Sequence, residues 1–186
     1  MSPRAAWRLE SLGITTVFDY VGGKADWFAA GLPRSGKLAN VPRTGDIARR
    51  DDVTCRLTDR IRDVVSRVRE VGQEACIVTT AGWVVLGRIR IDQLGDDSDT
   101  LAEDVMESGP TTTRADTTLE SMLERFQTRN VDSILVATSD GRLVGTLYRS
   151  DLEDNLMASE TETEKSRMTR PAAVAKTKTG ESLRNR

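Results

Sequence analysis

An internal repeat constrains the fold of this chain more than any other feature. Shifting the 186-residue sequence by 58 positions aligns residues 44–94 with residues 102–152 without a gap. A unit of about 50 residues is too small to bury a comfortable core alone, so we expect the two units to pack together as a pseudo-twofold pair. Identical residues stand at eight aligned positions: Asp46/Asp104, Thr54/Thr112, Arg56/Arg114, Arg67/Arg125, Val78/Val136, Thr80/Thr138, Gly87/Gly145 and Leu94/Leu152.

Apolar periodicity recurs at the same offset. In each unit an i, i+3, i+4, i+7 stripe predicts an amphipathic helix, and a strand-length apolar run, a turn and a second strand follow it. Thr117–Glu120 has the form of a capping box, and Ser139–Arg142 that of a hairpin turn. Each unit therefore predicts the order strand, helix, strand, strand, helix, in an α/β (α+β) fold. The stripes are Ile61, Val64, Val65 and Val68, then Leu119, Met122, Leu123 and Phe126.

Composition divides the remainder of the chain. Five of the eight aromatic residues lie in the first 28 positions, and a Gly- and Pro-containing segment, Gly31–Lys37, follows them. Such a segment is typical of a linker, so we place a boundary near residue 40. The last residues carry too few apolar side chains to bury, which predicts a disordered tail. The predicted units are 1–40, 44–98, 99–157 and 158–186.

Charge and residue content argue against several classes of function. With 27 Lys and Arg against 29 Asp and Glu, the net charge of -2 gives no general attraction to nucleic acid or anionic membranes. Histidine is absent, and Cys55 and Cys76 belong to no metal-binding pattern. No apolar run is long enough to span a bilayer. We therefore expect a non-catalytic cytoplasmic protein without a metal, nucleic-acid or membrane partner.

Three segments of the second unit resemble a cystathionine-beta-synthase (CBS) domain. They are the short helix and terminal methionine at Leu101–Met106, the extended segment and helix start at Thr111–Leu119, and the closing strand and helix at Asp140–Leu152. The resemblance covers residues 44 to 157. It implies a tandem pair with two clefts that binds an adenosine-containing ligand, such as AMP, ADP, ATP or S-adenosylmethionine. It also implies a homodimer formed through the pair, with a regulatory role.

Elementary chemistry indicates how the second cleft would bind such a ligand. A strand ending at Tyr148 and a helix starting at Arg149 would point free backbone N–H groups at a phosphate, and the Arg149 guanidinium would add a charged contact. Asp151, in the first helical turn, would accept hydrogen bonds from a ribose diol. Thr112 and Thr113 would lie across the cleft and face the adenine edge.

The departures from the family's nucleotide-binding pattern separate the two clefts. That pattern has a glycine, then Thr or Ser three residues later, then an aspartate. Gly145 and Asp151 fit it, whereas Tyr148 replaces the hydroxyl residue. In the first unit only Gly87 fits. The second cleft is therefore favoured, and the weaker candidates at the first are Thr54, Arg90 and Gln93.

The first forty residues resemble the last third of a rhodanese domain. The residues that carry this resemblance are Ser2–Gly13, Val17–Trp27 and Gly31–Pro33. It implies a helix from Ser2, a strand ending at Tyr20 and a short helix around Trp27, without the family's catalytic cysteine. Two alternatives stay open beside the nucleotide sensor: a ligand-free structural or dimerisation module, and a truncated rhodanese-class sulfurtransferase with a regulatory CBS pair.

Overall fold

Two short helices form the N-terminal segment of the chain. In this computed structural model, which describes residues 3–18, 20–94 and 99–168, helix α1 spans Pro3–Ser11 and α2 spans Gly23–Ala29. The helix around Trp27 is therefore present. The strand expected to end at Tyr20 is wrong, because residues 14–18 and 20 belong to no strand. Among the residues that the structure describes, no strand pairs with them to provide the hydrogen bonds that an extended segment needs.

The first repeat contains the predicted elements in the predicted order. A short helix α3 (Thr44–Ile47) precedes strand β1 (Thr54–Cys55), helix α4 (Ile61–Val71), strands β2 (Ala75–Thr79) and β3 (Val85–Arg90), and a 3-10 turn at Ile91–Gln93. Helix α4 is followed by Gly72, whose φ of 75° is the left-handed conformation that caps the C-terminal ends of helices.

The second repeat has the same elements 58 residues later. Helix α5 (Ala102–Val105) and strand β4 (Glu107–Ser108) lead into β5 (Thr112–Arg114), α6 (Leu119–Arg129), β6 (Ser133–Ala137), β7 (Leu143–Tyr148) and α7 (Arg149–Met168). The hydroxyl of Thr118 accepts a hydrogen bond of 3.3 Å from the Ser121 amide, so α6 starts inside the predicted capping box. The mixed α+β fold of two β-α-β-β-α units is confirmed.

Each repeat contributes its leading segment to the other repeat. The first sheet has the order β1-β2-β3-β4, and its last strand, Glu107–Ser108, comes from the second repeat. The second sheet has the order β5-β6-β7, and Arg49 from the first repeat bridges Thr146 of β7 at the equivalent edge. The strand pairs β1–β2 and β5–β6 are parallel, whereas β2–β3 and β6–β7 are antiparallel.

The two hydrophobic cores show the same exchange of leading segments between the repeats. The core beneath α4 includes Ala102, with Val105 and Met106 packed against it, while the core beneath α6 includes Ala48, with Ile47 against it. Glycines in the last long strand of each sheet allow this approach. A Cβ on Gly145 would overlap the Arg49 carbonyl, whereas one on Gly87 would meet the Met106 side chain.

The hairpin turns of the two repeats meet at the pseudo-twofold axis. Val84 and Arg142, which are equivalent residues, form an antiparallel bridge. The Val85 amide donates to the Gly141 carbonyl at 3.0 Å, and the Leu143 amide donates to the Trp83 carbonyl at 2.9 Å. These reciprocal bonds hold the two units together as the pseudo-twofold pair that the repeat predicts.

The closing helix is longer than the sequence predicts. Helix α7 continues to Met168, so the expectation of a disordered segment from residue 158 is wrong for residues 158–168. Residues 169–186 of that predicted tail lie outside the described residues. Among the helices of the described ranges, none has the length and apolar character that crossing a bilayer requires.

Candidate ligand cleft between the repeats

A cleft of about 610 Å³ opens where the two repeats face each other at the starts of β2 and β6. Its walls include equivalent residues of both units, 73–75 and 131–133, so it lies between the two repeats. The first repeat contributes more of the wall than the second, through the end of β3 and the turn that follows it. The lining residues are Arg69, Gln73, Glu74, Ala75, Arg88, Arg90, Ile91, Asp92, Asn130, Val131, Asp132 and Ser133.

Arg88 is the most buried charged group in this wall. It projects from the middle of β3, and one of its terminal nitrogens donates to the Ser133 hydroxyl at 3.1 Å. Its Nε is buried without a hydrogen-bond partner. Burial, and then repulsion from Arg90, lower the pKa of the Arg88 guanidinium. The charges of Tyr148, Asp52 and Glu107 partly oppose this lowering, and an anion in the cleft would relieve the repulsion between the two arginines.

Two further arginines line the cleft without an ion pair. Arg90 ends β3 and is exposed, and Arg69 lies in the last turn of α4. Neither side chain has an ion-pair or hydrogen-bond partner among the described residues. Carboxylates of Glu74, Asp92 and Asp132 share the walls, so the cleft offers both cationic donors and anionic acceptors. Such a lining suits a ligand that carries phosphate groups and sugar hydroxyls.

The equivalent edge of the second repeat is closed by an ion pair. Asp151 accepts two hydrogen bonds from Arg49, each 2.7 Å long, one from Nε and one from a terminal nitrogen. The Arg49 guanidinium also stacks over the Tyr148 ring at 4.7 Å. The hydrogen bonds to Asp151 raise the pKa of Arg49. The predicted ribose acceptor is therefore occupied by a side chain of the other repeat.

Asp52 lies at the same edge, against Thr146 of β7. The Thr146 hydroxyl donates to one carboxylate oxygen of Asp52 at 2.5 Å, whereas the other oxygen is buried without a partner. Burial raises the pKa of Asp52, and the bond from Thr146 only partly opposes this. Burial also raises the pKa of Tyr148, with a further contribution from the Asp52 charge.

The remaining predicted residues of the second cleft have other contacts. The Thr113 hydroxyl lies in the core within hydrogen-bond distance of Met122 and Arg125, and Thr112 is exposed on β5. The Arg149 guanidinium donates to Glu153 at 2.8 Å. Its amide donates to the Asp132 carbonyl at 2.9 Å, so this N–H is not free for the phosphate that the sequence predicted there.

The first repeat's predicted residues are distributed differently. Arg90 lies in the cleft wall, as described above. Thr54 is half-buried on β1, where it is paired in register with Ile77. The side chain of Gln93 lies outside the part of the chain that the structure describes.

Sequence reasoning missed three charged residues at these edges: Arg49, Asp52 and Arg88. Arg88 carried a signal, because it is the one charge within the apolar run from Val84 to Ile89. A charged residue inside a half-buried strand usually has a specific partner. Arg49 and Asp52 carried none, since their partners, Asp151 and Thr146, lie in the other repeat.

The architecture is that of a CBS domain pair. Residues 102–158 match the family model for the CBS domain, which confirms the resemblance of the second repeat. No curated protein matches the chain.

Solved structures extend this fold to both repeats. The CBS domains of a transcriptional regulator from Streptococcus pneumoniae are similar, with a TM-score of 0.55, 21% identity, and coverage of 62% of this chain and 99% of theirs. CBSX2 in complex with AMP has a TM-score of 0.55 and 17% identity, over 64% and 98% of the two chains. The CBS domain pair of MJ0100, in complex with 5′-methylthioadenosine and S-adenosyl-L-methionine, has a TM-score of 0.54 and 14% identity, over 64% and 98%. The rhodanese resemblance of residues 1–40 stays a prediction.

Proposed function

We propose that this chain is a non-catalytic regulatory module that binds an adenosine nucleotide in the cleft between its two repeats. The observation that carries the proposal is the pair Arg88 and Arg90, two neighbouring guanidinium groups without a carboxylate partner in the cleft wall. The cleft volume of about 610 Å³ lies within the range typical of small-ligand sites. Structural neighbours in complex with AMP, 5′-methylthioadenosine and S-adenosylmethionine support the class of ligand.

The cleft chemistry favours a phosphorylated ligand over S-adenosylmethionine. Arg88 and Arg90 would bind phosphate oxygens, because guanidinium groups form strong charge-assisted hydrogen bonds with them. The Asp132 carboxylate and the Ser133 hydroxyl line the same wall and can accept hydrogen bonds from a ribose diol. S-adenosylmethionine carries a sulfonium cation, which the two arginines would repel. We therefore expect AMP, ADP or ATP to bind more tightly.

The second repeat offers a site only after a rearrangement. Asp151 and Tyr148 can face a ribose if Arg49 leaves the Asp151 carboxylate, so binding there has to compete with two hydrogen bonds of 2.7 Å. The second cleft, with Thr112, Thr113, Tyr148, Arg149 and Asp151, therefore ranks below the first. Of Thr54, Arg90 and Gln93, the weaker set in the sequence, Arg90 lines the favoured cleft.

Titration calorimetry and thermal unfolding with AMP, ADP, ATP, S-adenosylmethionine and 5′-methylthioadenosine test the proposal. A nucleotide at 100 times its dissociation constant stabilises the folded state by about 2.7 kcal/mol, which raises the melting temperature measurably. Arg90→Ala should remove most of this shift. Arg62→Ala removes another exposed arginine, which is paired with Asp99 outside the cleft, and should leave the shift unchanged.

Each alternative has its own outcome in this experiment. A ligand-free structural module predicts no shift with any of the five compounds, and that result would contradict the proposal. A shift abolished by Asp151→Ala but kept by Arg90→Ala would assign the ligand to the second cleft. A sulfurtransferase would need a reactive cysteine other than Cys55 and Cys76, because both are buried in the first core.

A further inference from the structure

Asp52 carries a half-buried carboxylate that forms no ion pair with the described residues. It lies just before β1, and one of its oxygens accepts a hydrogen bond of 2.5 Å from the Thr146 hydroxyl. The other oxygen is buried without a hydrogen-bond partner. A carboxylate in such surroundings loses hydration that a single hydroxyl donor does not replace. The ionised form of Asp52 therefore depends on charges that do not touch it.

The Arg88 guanidinium provides such a charge, on the same face of the second sheet. Arg88 donates to the Ser133 hydroxyl at 3.1 Å, and Ser133 is paired in register with Tyr148. Residues 146 and 148 of β7 point to one face, because side chains alternate along a strand. Ser133 and Thr146 are therefore diagonal neighbours on adjacent strands, and such neighbours lie about 7–8 Å apart. Arg88 is bonded to one of them and Asp52 to the other.

The two charges act on each other across the interface between the repeats. Burial raises the pKa of Asp52, and the positive charge of Arg88 opposes this rise. Burial and the neighbouring Arg90 lower the pKa of Arg88, and the negative charge of Asp52 opposes that fall. Partly buried charges are screened little by water, so they interact over several ångströms. Each member of this Asp52–Arg88 pair therefore stabilises the charged form of the other.

The remaining groups around the Asp52–Arg88 pair do not provide an equivalent compensation. Asp51 and Glu107 are exposed, so water and salt screen their charges. The charge of Arg49 is engaged by Asp151 through two hydrogen bonds. Burial raises the pKa of Tyr148, so its phenol is neutral at ordinary pH. The charged and titratable groups that face the pair are Asp51, Glu107, Arg49, Arg90 and Tyr148.

A phosphate bound in the cleft would change the balance of the Asp52–Arg88 pair. Arg88 and Arg90 line the cleft and are the proposed phosphate-binding groups. A phosphate monoester carries about 1.5 to 2 negative charges at neutral pH. Beside Arg88 these charges neutralise the guanidinium that favours ionised Asp52, and they repel the carboxylate as well. The protonated form of Asp52 avoids that repulsion, so ligand binding favours it.

We propose that nucleotide binding in the cleft is coupled to the uptake of a proton by Asp52, so that the module binds its ligand more tightly as the pH falls. This inference rests on the proposed function and adds a regulation to it. Because coupling between two binding events is reciprocal, the bound nucleotide also makes Asp52 hold its proton to higher pH. The cleft would thus respond to nucleotide and to acidity together.

Titration calorimetry of the full chain with ATP tests the coupling. Measurements between about pH 4.5 and 8, in buffers with different ionisation enthalpies, count the protons taken up on binding. The wild type should take up as much as one proton more than Asp52→Asn, which cannot ionise but keeps an oxygen that can accept from Thr146. At the upper end of the range Asp52→Asn should bind ATP more tightly than the wild type. This advantage should shrink by up to about tenfold for each unit that the pH falls, and it should vanish at the lower end.

Asp63→Asn provides a matched control. Asp63 is an exposed aspartate of α4 beside Arg62, so its removal should leave both the proton uptake and its pH profile as in the wild type. The phosphates of ATP and the carboxylates of the cleft wall also titrate. They are common to all three proteins, so the difference between the wild type and Asp52→Asn isolates the proton of Asp52.

Two results would overturn the inference while leaving the proposed function intact. The first is equal proton uptake by the wild type and Asp52→Asn at every pH. The second is an Asp52→Asn variant that binds ATP more weakly than the wild type throughout the range, since Asp52 would then support the shape of the cleft. If AMP, ADP and ATP fail to bind to either protein at any pH, both the proposed function and this inference are wrong.

Discussion

Arg90 and Tyr148 occupy equivalent positions at the ends of β3 and β7, yet their surroundings differ in kind. Beside Arg90, Arg88 keeps a buried nitrogen without a partner, and the cleft is open. Beside Tyr148, Arg49 binds Asp151 with two hydrogen bonds and covers the ring. The same backbone thus presents an unsatisfied cationic wall in one repeat and a closed ion pair in the other.

This difference shows how a repeat can keep its fold while its two edges diverge in chemistry. The leading helix, the long helix and the two long strands of the first repeat recur at the 58-residue offset, and Gly87 and Gly145 make the same close approach possible. Side chains at the edges are free of those packing demands. One edge can therefore specialise in binding while the other links the two repeats. The predictions that follow test this separation.

The largest effect is expected from adding a single methyl group at the glycine of each edge. Gly145→Ala places a Cβ against the Arg49 carbonyl, a backbone atom that cannot move away alone, and should cost about 3 kcal/mol of unfolding free energy. Gly87→Ala meets the flexible Met106 side chain and should cost about 1 kcal/mol. Gly82→Ala meets only the Thr80 hydroxyl, at 3.8 Å, and serves as the control. Urea unfolding measures all three, and equal losses at Gly145 and Gly87 would contradict the ranking.

Replacing Arg90 by tyrosine, the residue at the equivalent position of the second repeat, should remove the preference of the cleft for phosphate. In Arg90→Tyr the cleft loses one charge-assisted hydrogen bond, worth about 1.5–3 kcal/mol, so ATP should bind about ten- to a hundredfold more weakly. 5′-Methylthioadenosine has no phosphate, so its affinity should change little. Titration calorimetry with both ligands makes the comparison. An equal loss for the two would mean that Arg90 shapes the cleft and does not bind the anion.

Opening the ion pair should give the second edge a binding capacity of its own. Arg49→Ala frees the Asp151 carboxylate and uncovers Tyr148, so the calorimetric stoichiometry of AMP should rise from one to two per chain. The stability loss should stay within about 1 kcal/mol, because Arg49 is half exposed. Arg49→Ala/Asp151→Ala keeps the gap but removes the acceptor, and it should return the stoichiometry to one. A single site in Arg49→Ala would show that the second edge does not bind AMP.

The smallest effect concerns Asp52 and its dependence on pH. The folded state raises the pKa of Asp52, so Asp52 keeps its proton to higher pH in the folded chain than in the unfolded chain. The free energy of unfolding therefore falls as pH rises from the unfolded-state pKa of Asp52 to its folded-state pKa. The neutral amide introduced by Asp52→Asn cannot ionise and avoids this loss. The melting temperature of Asp52→Asn relative to the wild type should therefore increase with pH and level off above the folded pKa. A relative decrease would mean that attraction to Arg88 outweighs the burial of Asp52.

The sequence predicted the elements of the repeats far better than their packing. Apolar stripes and turn residues are local, so Leu119, Met122 and Phe126 placed α6 and the loop at Asp140–Gly141 placed the β6–β7 hairpin. A repeat alignment shows which residues correspond, but it does not show which unit each one packs on. The exchange of α3 and α5 between the cores was therefore invisible, as was the pairing of Arg49 with Asp151, 102 residues away.

The candidate site was harder to predict for a related physical reason. Thr113 and Arg149 were predicted at the site because of their positions in the chain. In the structure, however, the Thr113 hydroxyl bonds within the core, and the Arg149 amide donates to the Asp132 carbonyl. The identity of a side chain does not reveal which neighbour satisfies it. The prediction of a strand ending at Tyr20 was wrong for a similar reason, because an extended segment becomes a strand only when a partner strand lies beside it.

The exchanged leading segments have a consequence for how such a chain could arise. If a single unit of this sequence existed alone, its leading helix would have no core of its own to cover. Two copies could bury these helices only by exchanging them, each helix packing on the core of the other copy. The described pair is what that domain-swapped dimer would become if its two chains were joined end to end. Gene fusion would then replace a concentration-dependent association with an intramolecular one, and from that moment each half would be free to accumulate its own substitutions.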